Sequence, residues 1–322
     1  MLKIYDVEDL FDSKRNIKLQ GLLNIPDTGM NLPFTRISGS TYGKTVLITA
    51  GIHGCEYVGI ETSKRLARII DPAKVSGNII IIHTVNCSGF RERLAGVTAE
   101  DGENLNRVFP GDKNGKPSEK LAYFILNYLS KPSDFYIDMH GADLHEAIKP
   151  LIFYPTAVDK EVSEISRRAA EASGFPYLVA SVSKSGSYSS AASAGTPGIL
   201  TELGGMGLWN KEEVNSYTEK ILRILNHLEV YKTDNKFDSD SQTTYFNPVN
   251  EFEAAEEGFW YPSFKVGDRV AQGTKIGEIR DVFDNLLEEY FSPVDGIILY
   301  QTVALSVKKG KFLFAISSVK DN

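Results

Sequence analysis

Thr45-Val46-Leu47-Ile48-Thr49-Ala50-Gly51-Ile52-His53-Gly54-Cys55-Glu56 is the stretch from which the fold of this 322-residue chain can be read. An apolar, β-like run feeds a glycine-flanked turn. From Tyr57 to Ile70, apolar residues (Val58, Leu66, Ile69, Ile70) then recur at helical spacing. Further on, Gly77-Asn78 opens Ile79-Ile80-Ile81-Ile82-His83-Thr84-Val85, a continuous apolar run of the kind found in strands buried on both faces. Strand, helix, strand in this order implies a parallel, right-handed unit. Open α/β sheets place their ligands where a strand ends and a helix begins, and glycines allow the tight turn and close approach required there. His53 and Glu56 stand three apart at that point and can converge on one cation. The same pair also occurs as surface residues of a Gly-rich turn, and short motifs match by chance. The rest of the chain decides between the two.

The length exceeds what one hydrophobic core usually fills, which favours one large domain and a small one. A hydrophobic content of 42% with 24% charged residues is ordinary for a globular protein with a sizeable core. A net charge of −7 and a pI near 5.4 argue against a nucleic-acid surface, which needs clustered Lys and Arg. No apolar run approaches the ~20 residues of a membrane span. The opening segment, Met1 to Asp9, is acidic where a secretory signal would be basic and then apolar, so the cytoplasm is the expected location. Cys55 and Cys87 are the only cysteines, too few for a disulfide framework.

Before the opening strand, residues 16 to 50 read as strands joined by turns. After Val85, Asn86 to Gly115 is polar and turn-rich, holding Arg91, Arg93, Asn104, Asn106 and Arg107; a loop this long is usually functional or disordered. Leu121 to Leu129 reads as a helix. Phe135-Tyr136-Ile137-Asp138-Met139-His140-Gly141 is a buried strand with a polar end, whose period of two sets Asp138 and His140 on one side. Lys149 to Tyr154 is a further strand and Asp159 to Ser173 a helix. Ser181 to Gly198, rich in Ser, Gly and Ala, reads as a mobile wall or lid. Ile199 to Gly205 is a strand with Glu202 at its polar end, and Lys211 to Tyr231 is helical. A polar linker from Lys232 to Thr243 separates a domain of residues 1–235 from a module of residues 243–322, whose short glycine-punctuated strands suggest an all-β fold.

His53, Glu56, His140 and Glu202 therefore lie at strand ends or in the loops that follow, which face one crevice in a doubly wound sheet. Two imidazoles and a carboxylate with an open fourth position form the ligand set of a catalytic zinc. The same set can hold non-haem Fe(II), but the additional carboxylate Glu202 suits hydrolysis, as the base that moves the proton of the attacking water. Asp138 is placed to orient a ligand. His145, close to His140, is an alternative ligand, and the tight turn should aim Cys55 away from the metal. Hydrolysing an amide builds charge on the carbonyl oxygen, a role Arg93 fits, while Arg107 beside Asn106 fits the grip on a substrate carboxylate.

Taken together these residues resemble the succinylglutamate desuccinylase and aspartoacylase family, a branch of the zinc carboxypeptidase-like hydrolases. Five separated blocks carry the resemblance: Ala50 to Glu56, Asp101 to Gly111, Asp138-Met139-His140-Gly141, Gly195-Thr196-Pro197 and Thr201-Glu202-Leu203-Gly204-Gly205. The resemblance implies an α/β fold with a mixed, largely parallel sheet flanked by helices, plus a small C-terminal β-module similar to lipoyl and biotinyl domains. It implies one zinc ion on His53, Glu56 and His140, Glu202 as general base and then acid, and Asn106 with Arg107 on the substrate carboxylate. Arg93 becomes the oxyanion stabiliser, with Arg91 as alternative because Cys87 stands where relatives carry proline. Arg280 to Phe291 contains no lysine, so a carrier-domain attachment is not expected. The expected activity is removal of a small acyl group from an N-acyl amino acid or related amine, with no nucleic acid and no membrane as partner. Cleavage of short peptides, a silent ligand-binding relative, and a homo-oligomer all stay open at this stage.

Overall fold

The computed structural model describes residues 2–233 and 243–320. Among them, β1 (Ile4–Tyr5), β2 (Ile17–Asn24), β3 (Asn31–Ser38), β4 (Thr41–Ala50), β5 (Ser76–Ile82), β6 (Phe135–His140), β7 (Glu146–Ile148), β8 (Leu151–Pro155), β9 (Tyr177–Ser181), β10 (Gly198–Glu202) and β11 (Thr244–Phe246) precede the tail. All but β7 form one sheet in the order β1-β2-β3-β5-β4-β6-β10-β8-β9-β11. The expected unit is present: β4 leads through α1 (Tyr57–Ile69) into β5, paired parallel to it. At the centre β4, β6 and β10 lie side by side and parallel, so their C-terminal ends open on one edge. The sheet is mixed, since β2, β3 and β5 pair antiparallel, as do β8 and β10.

Alternation along the central strands divides the core into two layers. Phe135, Ile137 and Met139 join Val46, Ile48 and residues of α4 (Lys160–Ala172) and α6 (Lys211–His227) on one face. Tyr136 joins Leu47, Ile80, Ile82 and residues of α3 (Pro117–Phe124) on the other. Asp138 and His140 share the phase of Tyr136, so two polar side chains are carried on the second face at the end of a fully buried strand. Such groups are retained in a core only with partners or a ligand.

The loop read from Asn86 to Gly115 holds two short helices, α2 (Cys87–Glu92) and a 3₁₀ turn at Leu105–Arg107. The Ser-rich stretch before β10 is not a bare lid: α5 (Ser187–Ser193) is a buried helix, with Ser187 to Ala192 all inside the fold. Alanine and serine let it approach the sheet closely, and Ala191 is buried in the same cluster as Tyr136 and Leu200.

The tail strands β12 (Asn250–Glu253), β13 (Gly258–Pro262), β14 (Arg269–Val270), β15 (Lys275–Arg280), β16 (Leu286–Phe291), β17 (Gly296–Thr302), β18 (Ser306–Val307) and β19 (Phe312–Ser317) form two further sheets. Trp260, Tyr290 and Phe314 centre their core. The module is knitted into the larger part in both directions. β7 pairs with β17, Ile148 opposite Tyr300, and β11 extends the main sheet beside β9. The centre of the linker read from sequence, residues 234–242, lies outside the described residues.

Candidate active site

The turn after β4 needs its glycines. Gly51 takes φ +67°, and a Cβ on Gly54 would stand 2.2 Å from the backbone N of Phe90 at the end of α2. That close approach folds His53 and Glu56 back over the ends of β4 and β6. Glu56 precedes the first turn of α1 and is 4% exposed. Its Oε1 lies 2.7 Å from His53 Nδ1 and its Oε2 3.0 Å from His140 Nδ1. The two imidazole rings stand 5.2 Å apart at 76°. One ligand atom from each of His53, Glu56 and His140 lies within 4.8 Å of the others.

The far nitrogen of each ring is held. His140 Nε2 is 2.9 Å from Asp138 Oδ2, and His53 Nε2 is 3.1 Å from Asn104 Oδ1. Asp138 is itself fixed by Thr49 Oγ1 at 2.6 Å and by the Ser187 hydroxyl. A carboxylate behind a histidine sets its orientation and raises its basicity as a ligand. The parallel ladder puts Glu202 opposite His140, so its carboxylate enters the same space from the neighbouring strand.

Burial and mutual charge dominate the electrostatics. Burial would raise Glu56, but the two imidazoles outweigh it and lower its pKa to about 2. Burial likewise opposes protonation of both histidines, yet Glu56 raises His53, and Asp138 with Glu56 raises His140 well above its ordinary value. Burial pushes Glu202 well above the usual carboxylate range, with Glu56, Glu146 and Asp138 adding to the rise against the pull of His140. The donor set fits a divalent cation on an independent observation. Glu202 Oε2 is buried and makes no hydrogen bond among the described residues, and Glu56 Oε2 meets only the His140 ring, at 3.0 Å. A buried carboxylate oxygen left so is costly unless something else meets it.

These groups open into a cleft of about 560 Å³. Asn106 and Arg107 line it, as the sequence suggested, and Asn106 Oδ1 accepts the Ser187 backbone N–H at 2.9 Å. The structure does not bring Arg93 there. α2 ends at Glu92, Arg93 turns the chain with φ +56°, and its exposed side chain is outside the cleft lining. Arg91 lines a separate cavity beside Asn31 and Cys87. Cys55 is not one of the converging ligand groups and donates to Asp143 Oδ1 at 3.0 Å. The cleft also holds residues that the sequence reading did not assign: Asn104, Asp143 and Glu146, the α5 side chains Tyr188 and Ser189, and Glu251 with Tyr300 from the tail. The β7–β17 pairing brings Tyr300 over the site, and two strands so far apart in sequence carry no local signal of meeting.

A mixed, largely parallel α/β sheet thus sets two histidines, a glutamate and a separate buried carboxylate at adjacent strand ends. Residues 42–228 match the model of the succinylglutamate desuccinylase/aspartoacylase catalytic domain, and the chain belongs to that family. It is 27% identical over 290 residues, 87% of this chain and 84% of the relative, to N-alpha-acetyl-L-2,4-diaminobutyric acid deacetylase of Halomonas elongata. Among solved structures, a succinylglutamate desuccinylase/aspartoacylase from Rhodobacter sphaeroides superposes with a TM-score of 0.85 at 27% identity, covering 96% of this chain and 98% of that one. The ectoine utilization protein EutE (DoeB) from Ruegeria pomeroyi shares the fold, with a TM-score of 0.85 at 23% identity over 95% of this chain and 96% of that one. The first two of these relatives are thus named for deacylation. No helix among the described residues is long and apolar enough to cross a membrane.

Proposed function

We propose that this protein is a zinc-dependent amidohydrolase that removes a small acyl group from an N-acyl amino acid. The observation that carries the reading is the convergence of His53, Glu56 and His140 with Glu202, whose buried carboxylate oxygen has no hydrogen-bond partner among the described residues, in one cleft. His53, Glu56 and His140 would hold the ion. When bound there, zinc lowers the pKa of water from ~16 to about 7 and polarises a carbonyl oxygen. Glu202 takes the proton of the attacking water and returns it to the leaving amine. Burial raises its pKa above the ordinary carboxylate range, the direction in which acid–base groups of this kind are tuned. Asp138 and Asn104 hold the imidazoles in orientation, and Asn106 with Arg107 receives the substrate carboxylate.

The cleft carries more acid than this chemistry uses. Asp143, Glu146 and Glu251 face it in addition to Glu56 and Glu202, against Arg107 as the one arginine in the described lining. Burial, with Asp143 and Glu56 nearby, pushes Glu146 up to about 7. A substrate bearing a further amine would relieve that crowding, and the Halomonas relative is named for such a compound. Residues 1–235 serve as the catalytic domain, and the module of residues 243–322 closes one side of the cleft through Glu251 and Tyr300. The test is a panel of N-acetyl and N-succinyl derivatives of aspartate, glutamate and 2,4-diaminobutyrate, with dipeptides as controls, scored as free amine released by zinc-loaded protein. Release from an N-acyl amino acid, absent after chelation, is expected. Hydrolysis of dipeptides alone would replace the reading with a carboxypeptidase, and no zinc-dependent release would end it.

A further inference from the structure

If Arg93 stays outside the cleft, the charge that gathers on the carbonyl oxygen lacks the protein donor the sequence suggested for it. Arg107 and Asn106 are assigned to the substrate carboxylate, and the Tyr300 hydroxyl donates to Glu251. Tyr188 is a buried donor of the lining that is suited to the task. Tyr188 is 4% exposed, and its hydroxyl makes no hydrogen bond among the described residues. Ser189 Oγ is in the same state, but a helical serine can turn its hydroxyl back to a carbonyl of the preceding turn, whereas a phenol cannot.

Its position follows from the contacts of α5. Ser187 fixes the start of the helix, its hydroxyl on Asp138 and its N–H on Asn106 Oδ1. The next residue, Tyr188, is buried in the same apolar cluster as Tyr136 and Leu200, and Leu200 shares a strand face with Glu202 two residues on. Tyr188 lines the cleft together with Leu200, Glu202 and His140, with its hydroxyl oxygen buried in the wall. Burial holds the phenol protonated, with a pKa of about 12, although the Ser181 and Ser189 hydroxyls are near; neither meets it in hydrogen-bonding geometry. A permanently protonated, desolvated O–H with no competing partner has what an oxyanion donor requires.

We propose that Tyr188 is a catalytic residue whose O–H donates a hydrogen bond to the carbonyl oxygen of the scissile amide as negative charge develops on it. The proposal rests on the deacylase reading above. In the step, water oxygen bonds to the carbonyl carbon, its proton passes to Glu202, and the carbonyl π pair moves onto the oxygen that faces Tyr188. That pair then re-forms the C=O bond as the C–N bond breaks, and the amine leaves with the proton from Glu202. Tyr188 keeps its own proton throughout.

Two measurements on zinc-loaded Tyr188→Phe test this. In steady-state deacylation kcat should fall about 100-fold with KM within about twofold of wild type, because the bond is made in the transition state and not in the ground state. In calorimetry, the N-methylphosphonyl derivatives of aspartate, glutamate and 2,4-diaminobutyrate mimic the charged oxygen; the one that binds wild type best should bind the variant about 100-fold more weakly. Zinc content equal to wild type shows that the variant is folded. A kcat within about threefold of wild type, a loss confined to KM, or equal phosphonyl affinity overturns the role of Tyr188 while leaving the deacylase reading standing. Failure of all three phosphonyl compounds to bind wild type overturns the deacylase reading itself, and this proposal with it.

Discussion

Asp138→Asn separates the charge behind His140 from the shape that carries it. The side chain is fully buried at the end of β6, and its carboxylate meets His140 Nε2 at 2.9 Å, Thr49 Oγ1 at 2.6 Å and the Ser187 hydroxyl. An asparagine fits the same volume and can keep its oxygen in the place of Oδ2, accepting from His140 and the Ser187 hydroxyl, with its amide in the place of Oδ1 directed at Thr49 Oγ1, which is free to rotate and accept. The fold should therefore survive. Removing the negative charge has two opposing effects on the metal. It makes His140 easier to deprotonate, because Asp138 is a principal cause of the raised His140 pKa. It also weakens the attraction for the ion, and a dication gains about twice what a proton gains from the same carboxylate, so the second effect wins. Partners of this kind are worth about 10- to 100-fold in metal affinity, or about 1.4–2.8 kcal/mol. Competition for zinc against a chromophoric chelator at neutral pH reads the change directly, with Ser187→Ala as a milder control that leaves the charge in place. An affinity within about twofold of wild type, in a variant with an unchanged thermal midpoint, would refute the view that Asp138 tunes a metal ligand.

Two other predictions rest on separate contacts. Gly54→Ala places a Cβ 2.2 Å from the Phe90 N and 2.6 Å from the Gly89 carbonyl carbon, and backbone cannot rotate away as a side chain could. A loss of about 1–3 kcal/mol in urea unfolding, with weakened zinc uptake, is expected, and unchanged values would mean the loop is not held against α2. His83 bonds Thr35 Oγ1 at 2.7 Å and Ser63 Oγ at 3.1 Å, and burial, aided by Lys64, lowers its pKa from 6.5 to about 4. The unfolded chain then binds the extra proton first, so this group's contribution is complete above pH 6.5 and is lost as pH falls toward 4, by up to about 3 kcal/mol. Urea midpoints at pH 7 and 4.5 should differ less in His83→Gln than in wild type; an equal difference sinks the assignment.

The parts legible in the sequence are those where local pattern and function coincide. A strand running into Gly-x-His-Gly-x-Glu and then an amphipathic helix gave the parallel unit and half the site, and strands with polar ends gave His140 and Glu202. What stayed hidden depends on contacts between distant residues or on local turns. Arg93 has the right chemistry, but its left-handed backbone ends α2 and keeps the side chain in solvent. Asn104 looked like one more loop polar group until its 3₁₀ turn set it against His53. The Ser-rich run hid a helix because serine competes for backbone hydrogen bonds and reads as loop; burial against the sheet, through Ala191 and Tyr188, overrides that preference. The three-residue strands β7 and β11, which cross between the two parts of the molecule, are too short to leave a pattern of their own.

The central claim is that Glu202 moves the proton in a reaction staged on His53, Glu56 and His140. It is tested most directly by the turnover of zinc-loaded Glu202→Gln, measured together with its zinc content. Zinc bound as in wild type with kcat lowered by about 10²–10⁴-fold is the predicted result. A variant that keeps its zinc and turns over at the wild-type rate would contradict it.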